Sequence, residues 1–220
     1  MSLRLAIFDC DGTLVDSQAD ICAAMDAAFV TAGLVPPDRN ATRRIVGLSL
    51  PEAMRRLCPE GSERDHIALA DHYRDAFRTR RAAGQVAEPL YEGIAALIEE
   101  LAGAGWLLGV ATGKSDRGLV HCLETHGLTG HFVTLQTADR HPSKPHPSMI
   151  EACLAATGAA TSETAMIGDT AFDMAMAVNA GVRAIGVDWG YHHPRDLVEA
   201  GAEAVAGSIA ELRLLLKGME

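Results

Sequence analysis

From Pro89 onward the sequence alternates short apolar runs with longer helical patterns, and this alternation restricts the fold more than any other feature. The runs 106–111, 132–135, 165–167 and 184–187 predict strands. Helical patterns over 94–101, 115–126, 147–156 and 170–180 lie before and between them. Strands and helices in alternation build a parallel sheet covered by helices on both faces. After the last run the chain reads as two short helices around Ala204 and Val205. Near the start, Leu3-Arg4-Leu5-Ala6-Ile7-Phe8 reads as one more buried strand of the same sheet. Between Asp16 and Glu88 no segment has strand character. Ser17 followed by Asp20 has the form of a capping box, opening a helix that stops at Gly33. Residues 34–38, with Pro36 and Pro37, read as a connector. A second helix starts at Ser49-Leu50-Pro51-Glu52 and runs to about Cys58, and a longer one opens at Ser62 and Asp65 and runs toward Gly84. The expected fold is α/β: a doubly wound parallel-sheet core built from 1–15 and 89–220, with an inserted helical domain over 16–88.

Charge narrows the partners. A formal net charge of −10 opposes binding to nucleic acid or to an anionic membrane surface. No apolar run approaches the ~20 residues of a membrane span, and the first apolar run stops at Asp9 without the layout of a secretion signal. Cys10, Cys22, Cys58, Cys122 and Cys153 are odd in number and never spaced C-x-x-C, which suits reduced thiols in the cytoplasm. Ten of the 16 arginines lie within 16–88, and the whole chain has three lysines: Lys114, Lys144 and Lys217.

In a doubly wound sheet, ligands gather at the carboxyl ends of the strands. Asp9 and Asp11 follow the first strand. In an extended chain such i, i+2 side chains share a face, so the two carboxylates are expected to converge, with Gly12 turning the backbone behind them. Thr112, Gly113 and Lys114 follow the second strand and open a helix at Ser115, a suitable cradle for an anion or simply an ordinary helix cap. The loop after the third strand carries Lys144 within Ser143-Lys144-Pro145-His146-Pro147. Asp169 ends the fourth strand and Asp173 lies one helical turn on. Four strand ends thus offer carboxylates, a hydroxyl and a lysine. Oxygen donors of this kind select a hard cation, and Mg²⁺ fits best.

These segments resemble the haloacid dehalogenase superfamily, within it the phosphoglycolate phosphatase-like branch. Asp9-Cys10-Asp11-Gly12-Thr13-Leu14-Val15-Asp16-Ser17 resembles its first motif, Ala111-Thr112-Gly113-Lys114 its second and Lys144-Pro145-His146-Pro147 its third. Gly168-Asp169-Thr170-Ala171-Phe172-Asp173 resembles its fourth, and 16–88 its helical cap. The resemblance implies a phosphatase acting on a small phosphorylated metabolite, with 2-phosphoglycolate one candidate. It implies Asp9 as the nucleophile that becomes an aspartyl phosphate and Asp11 as the proton donor and acceptor. Mg²⁺ would be held by Asp9, the Asp11 carbonyl and Asp169. Thr112, Gly113 and Lys144 would bind the phosphoryl group, with Asp173 orienting Lys144 or a metal-bound water.

Asp11 argues against the dehalogenase branch, which lacks that aspartate. The absence of lysine before Lys114 argues against a Schiff-base hydrolase. A phosphosugar mutase stays the runner-up, although Gln18-Ala19-Asp20 lacks the histidine it is expected to carry. A phospho-acceptor receiver domain is the alternative from another class; no aspartate ends the third strand. In the cap, Arg43 and Arg44 are the expected clamp for a second anionic group. His192 and His193 fall near the entrance, and Cys10 is expected to point away from the aspartates as core filler.

Overall fold

The computed structural model describes residues 3–218. Six parallel strands form one sheet in the order β3-β2-β1-β4-β5-β6. They are β1 (Leu5–Phe8), β2 (Leu107–Thr112), β3 (Thr134–Thr137), β4 (Thr164–Gly168), β5 (Arg183–Val187) and β6 (Ala204–Ala206). β1 pairs with β2 on one side and with β4 on the other. Sequence order therefore reverses at β1, which leaves a crevice at the carboxyl end of β1 and β4.

Period-2 alternation divides the core. Ala6 and Phe8 pack under α5 (Ile94–Gly103), α6 (Asp116–Thr125) and α10 (Ile209–Lys217), through Leu97, Ile98, Leu119 and Leu212. Leu5 and Ile7 face the other side, under α7 (Ser148–Thr157), α8 (Ala171–Ala180) and α9 (Pro194–Glu199), through Met149, Cys153, Met174 and Leu197. Cys10 is fully buried, with its Sγ 3.8 Å from that of Cys122, so it fills the core as expected. No helix among the described residues is long and apolar enough to cross a membrane.

Between β1 and β2 the chain leaves the sheet for α1 (Gln18–Thr31), α2 (Arg39–Arg43), α3 (Leu50–Leu57) and α4 (Glu63–Ala82). These helices share a separate apolar cluster that includes Met25, Phe29, Leu48, Met54 and Leu69. Two crossings of the chain tether this helical layer to the sheet. The Asp16 N–H donates to the Pro89 carbonyl at 2.8 Å and the Tyr91 N–H to that of Leu14 at 3.0 Å. The Ser62–Asp65 capping box forms at the start of α4.

The Ser17–Asp20 capping box does not form, because both side chains have stronger partners elsewhere. Ser17 turns its hydroxyl to Asp11. Asp20 takes the Arg80 guanidinium at 3.0 Å and the Ala87 N–H at 3.1 Å, tying the start of α1 to the end of α4. Three further segments differ from the sequence reading. Residues 39–43 form a helix capped by the Asp38 side chain. β3 lies two residues later than expected. Ala204–Ala206 is a strand, whose small residues give too little apolar signal to mark it.

Candidate active site

The carboxyl ends of β1 and β4 bring three carboxylates together. Asp9, Asp169 and Asp173 are all fully buried, with one oxygen of each within 4.8 Å of the others. Asp9 extends β1 by one bond, its N–H donating to the Ile167 carbonyl at 2.9 Å. Its Oδ1 accepts the Cys10 N–H at 2.6 Å. Asp169 Oδ1 accepts the Thr13 hydroxyl at 2.8 Å and Oδ2 the Tyr191 N–H at 2.9 Å. Asp173 Oδ2 accepts the Thr170 hydroxyl at 2.7 Å in a capping box that starts α8. Lys144, whose side chain is also fully buried, places Nζ 2.8 Å from Asp9 Oδ2 and 2.6 Å from Asp173 Oδ1.

One ammonium among three carboxylates leaves excess negative charge in a dry place. Burial pushes the Asp9 carboxyl up to about 6, with Lys144 pulling down and Asp173 pushing further up. Asp169 is raised well above the ordinary carboxylate range by burial and then by Asp173 and Asp9. Burial alone would lower Lys144; Asp173 and Asp9 outweigh it and raise it. Asp9 Oδ2 also has no well-directed hydrogen bond despite its contact with Lys144. A buried oxygen with an open direction, beside two further carboxylates, suits a hard divalent cation.

Asp11 does not join this cluster. Beyond Asp9 the chain bends at Cys10 and turns back: the N–H groups of Leu14 and Val15 donate to the Cys10 carbonyl, and Gly12 adopts φ +83°. The i, i+2 rule therefore fails at this position. Gly12 is required there twice over, since a Cβ would lie 2.2 Å from Asp169 Oδ2 and φ is positive. The Asp11 carboxylate instead lines the cleft beneath the helical layer. Its Oδ1 accepts the Ser17 hydroxyl at 2.5 Å and Lys114 Nζ at 2.7 Å. Lys114 reaches Glu88 Oε1 at 2.8 Å, and Glu88 Oε2 meets Arg81 at 2.6 Å. A row of alternating charges thus runs from Asp11 to α4. Burial would lower Lys114, but Asp11, Cys10 and Glu88 outweigh it and raise it.

The cleft, about 550 Å³, lies between the helical layer and the sheet edge. Gly113 closes one end so tightly that a Cβ would sit 2.6 Å from the Gly47 and Leu48 carbonyls. Thr112 is buried close to Asp9, and its hydroxyl accepts the Lys114 N–H at 3.3 Å. Arg43 and Arg44 do not line the cleft. The Arg43 side chain is drawn away by Gln18 Oε1 at 2.9 Å, and Arg44 meets His192 through its carbonyl at 3.2 Å. The arginines of the cleft wall are Arg74, Arg78 and Arg81 of α4 and Arg117 of α6.

His192 is half-buried. Its Nδ1 accepts the Ala171 N–H at 3.1 Å, its ring meets Phe172 edge-on, and burial lowers its proton affinity. His193 caps α9. Thr13, Ser17, Glu88 and Tyr191 also take part, and no sequence pattern marks the first three. Tyr191 follows β5, so the strand-end rule that marked the histidines covers it too.

A family profile described as Haloacid dehalogenase-like hydrolase matches residues 6–187. The chain belongs to that family. Among curated proteins it is 36% identical to probable phosphatase IndB of Dickeya dadantii, over 96% of this chain and 95% of the relative. It is 28% identical to a phosphoglycolate phosphatase of Pseudomonas fluorescens, over 98% of this chain and 79% of the relative. A crystal structure titled as a predicted phosphatase from Clostridium acetobutylicum superposes with a TM-score of 0.87 at 26% identity, covering 99% of this chain and 100% of the other. The α/β core of this haloacid dehalogenase-like protein is thus the family's own.

Proposed function

We propose that this protein is a Mg²⁺-dependent phosphatase of small phosphorylated metabolites that works through an aspartyl phosphate on Asp9. The observation that carries the reading is the buried Asp9 carboxylate, with one oxygen lacking a directed hydrogen bond, 2.8 Å from Lys144 Nζ and clustered with the Asp169 and Asp173 carboxylates. Asp9 and Asp169, with the Asp11 carbonyl, would hold the cation. That carbonyl accepts no hydrogen bond among the described residues. When bound, Mg²⁺ supplies positive charge against the phosphoryl oxygens.

An Asp9 oxygen attacks phosphorus, and the bond from phosphorus to the alcohol oxygen breaks. Asp11, which lines the cleft where the alcohol must lie, delivers a proton to that oxygen. Water then attacks phosphorus and gives its proton to Asp11, releasing inorganic phosphate and restoring Asp9. Lys144, held by Asp173, neutralises Asp9 and the transferring group, while Thr112 and the N–H groups of Gly113 and Lys114 receive phosphoryl oxygens. The helical layer of 16–88 acts as a cap over this chemistry.

The names of the relatives make 2-phosphoglycolate the first compound to assay. The test is a phosphate-release screen over small phosphate monoesters with and without Mg²⁺, using Asp9→Asn as the blank. Release that depends on both Mg²⁺ and Asp9 supports the reading; turnover retained in Asp9→Asn sinks it.

A further inference from the structure

Resting on that phosphatase reading, the geometry points to a substrate class: a phosphate monoester of a ring-sized or larger alcohol, carrying a second negative group at its far end. The cleft volume of about 550 Å³ lies within the ~300–1,000 Å³ range of sites that enclose drug-sized ligands. A two-carbon acid would leave most of it to water. The inner wall is apolar: Ile21 and Met25 one turn apart on α1, with Ile45 and Leu48 beside them, all four buried in the protein. Such a wall favours a carbon body over a short polar chain.

The rim is cationic. On α4, Tyr73, Arg74, Phe77, Arg78 and Arg81 follow the i, i+3, i+4 spacing of a single helix face, and all five line the cleft. Arg81 and Lys114 are committed to Glu88 and Asp11. Among the described residues Arg74 and Arg78 pair only with Asp71 and Asp75 on their own helix, in exposed contacts that water screens. Arg117, in the first turn of α6, lines the same cleft with no ion pair or hydrogen bond among the described residues. The acids of the lining are Asp11, held by Lys114, and Asp139, which accepts the Asp116 N–H at 2.8 Å. Arg117, with Arg74 and Arg78 lining the same cleft, is therefore the group available to a distal carboxylate or phosphate, which guanidinium groups bind in a planar, two-pronged way.

The test measures kcat/KM by phosphate release, with Mg²⁺, on four compounds. These are 2-phosphoglycolate, phenyl phosphate, 4-carboxyphenyl phosphate and hydroquinone bisphosphate. The last two separate a distal carboxylate from a distal phosphate. At least one of them should exceed both phenyl phosphate and 2-phosphoglycolate by about tenfold or more, the worth of one charge-assisted hydrogen bond. In Arg117→Ala the ratio of charged to uncharged ring compound should fall toward one, and Arg117→Lys should recover part of it. A ratio near one in the unmodified protein, or a preference for 2-phosphoglycolate, overturns the substrate class and leaves the phosphatase reading standing. A ratio unmoved by both Arg117→Ala and Arg78→Ala overturns the assignment of the rim. No Asp9-dependent release from any phosphate monoester overturns the phosphatase reading itself.

Discussion

Replacing Asp9 by Asn should make the metal-free protein more stable at neutral pH, although it removes the nucleophile. Asp9 titrates at about 6 in the fold against a reference of 3.8. Between those values the folded state binds more protons than the unfolded one, so the stability provided by the neutral form is present below 3.8 and lost as pH rises through 6. At pH 7.5 the ionised Asp9 then costs about 3 kcal/mol, and at pH 5 about half that. Asn cannot ionise, and Lys144 keeps Asp173 as a partner at 2.6 Å. Urea unfolding in the presence of a chelator should find Asp9→Asn more stable by about 2–3 kcal/mol at pH 7.5, with the gain roughly halved at pH 5. Saturating Mg²⁺ should narrow or reverse the difference, because binding to the folded carboxylates stabilises the unmodified protein by mass action. A metal-free Asp9→Asn protein less stable than the parent at pH 7.5, or a gain independent of pH, would refute the account of a charge-strained cation site.

Two further substitutions probe the cleft. Gly113→Ala places a methyl group 2.6 Å from two backbone carbonyls of the helical layer, so that layer must shift. Overpacking of this kind costs about 1–3 kcal/mol, and KM for any accepted substrate should rise; an unchanged KM would show that the layer does not close against Gly113. Glu88→Gln removes the anion shared by Lys114 and Arg81 at a buried position. Breaking such a pair costs about 3 kcal/mol, a fall of roughly 6–12 °C in Tm for a chain of this size. A melt within about 2 °C of the parent, less than 1 kcal/mol, would mean that the row of charges contributes little.

The sheet and the main site residues were legible because each depends on short-range pattern. Apolar runs mark β1, β2, β4 and β5, and the strand-end rule then locates Asp9, Thr112, Asp169 and Asp173 without any knowledge of contacts. Lys144 stood out by rarity and by its prolines. What escaped was set by tertiary partners. Ser17 and Asp20 match a capping box locally, yet Asp11, Arg80 and the Ala87 N–H compete for them from distant parts of the chain. Asp11 leaves the carboxylate cluster because the chain bends at Cys10, between the two aspartates. Arg43 and Arg44 are reasonable by charge alone, but the arginines that line the cleft lie on α4 and α6. β6 is three small residues long and exists as a strand through its pairing with β5.

Covalent attack by Asp9 can be caught by acid-quenched single-turnover labelling. With a ³²P-labelled phosphate monoester and Mg²⁺, the account predicts acid-stable, hydroxylamine-sensitive label on the peptide that contains Asp9, and none in Asp9→Asn. Turnover with the label on another residue, or turnover that continues in Asp9→Asn, would contradict it.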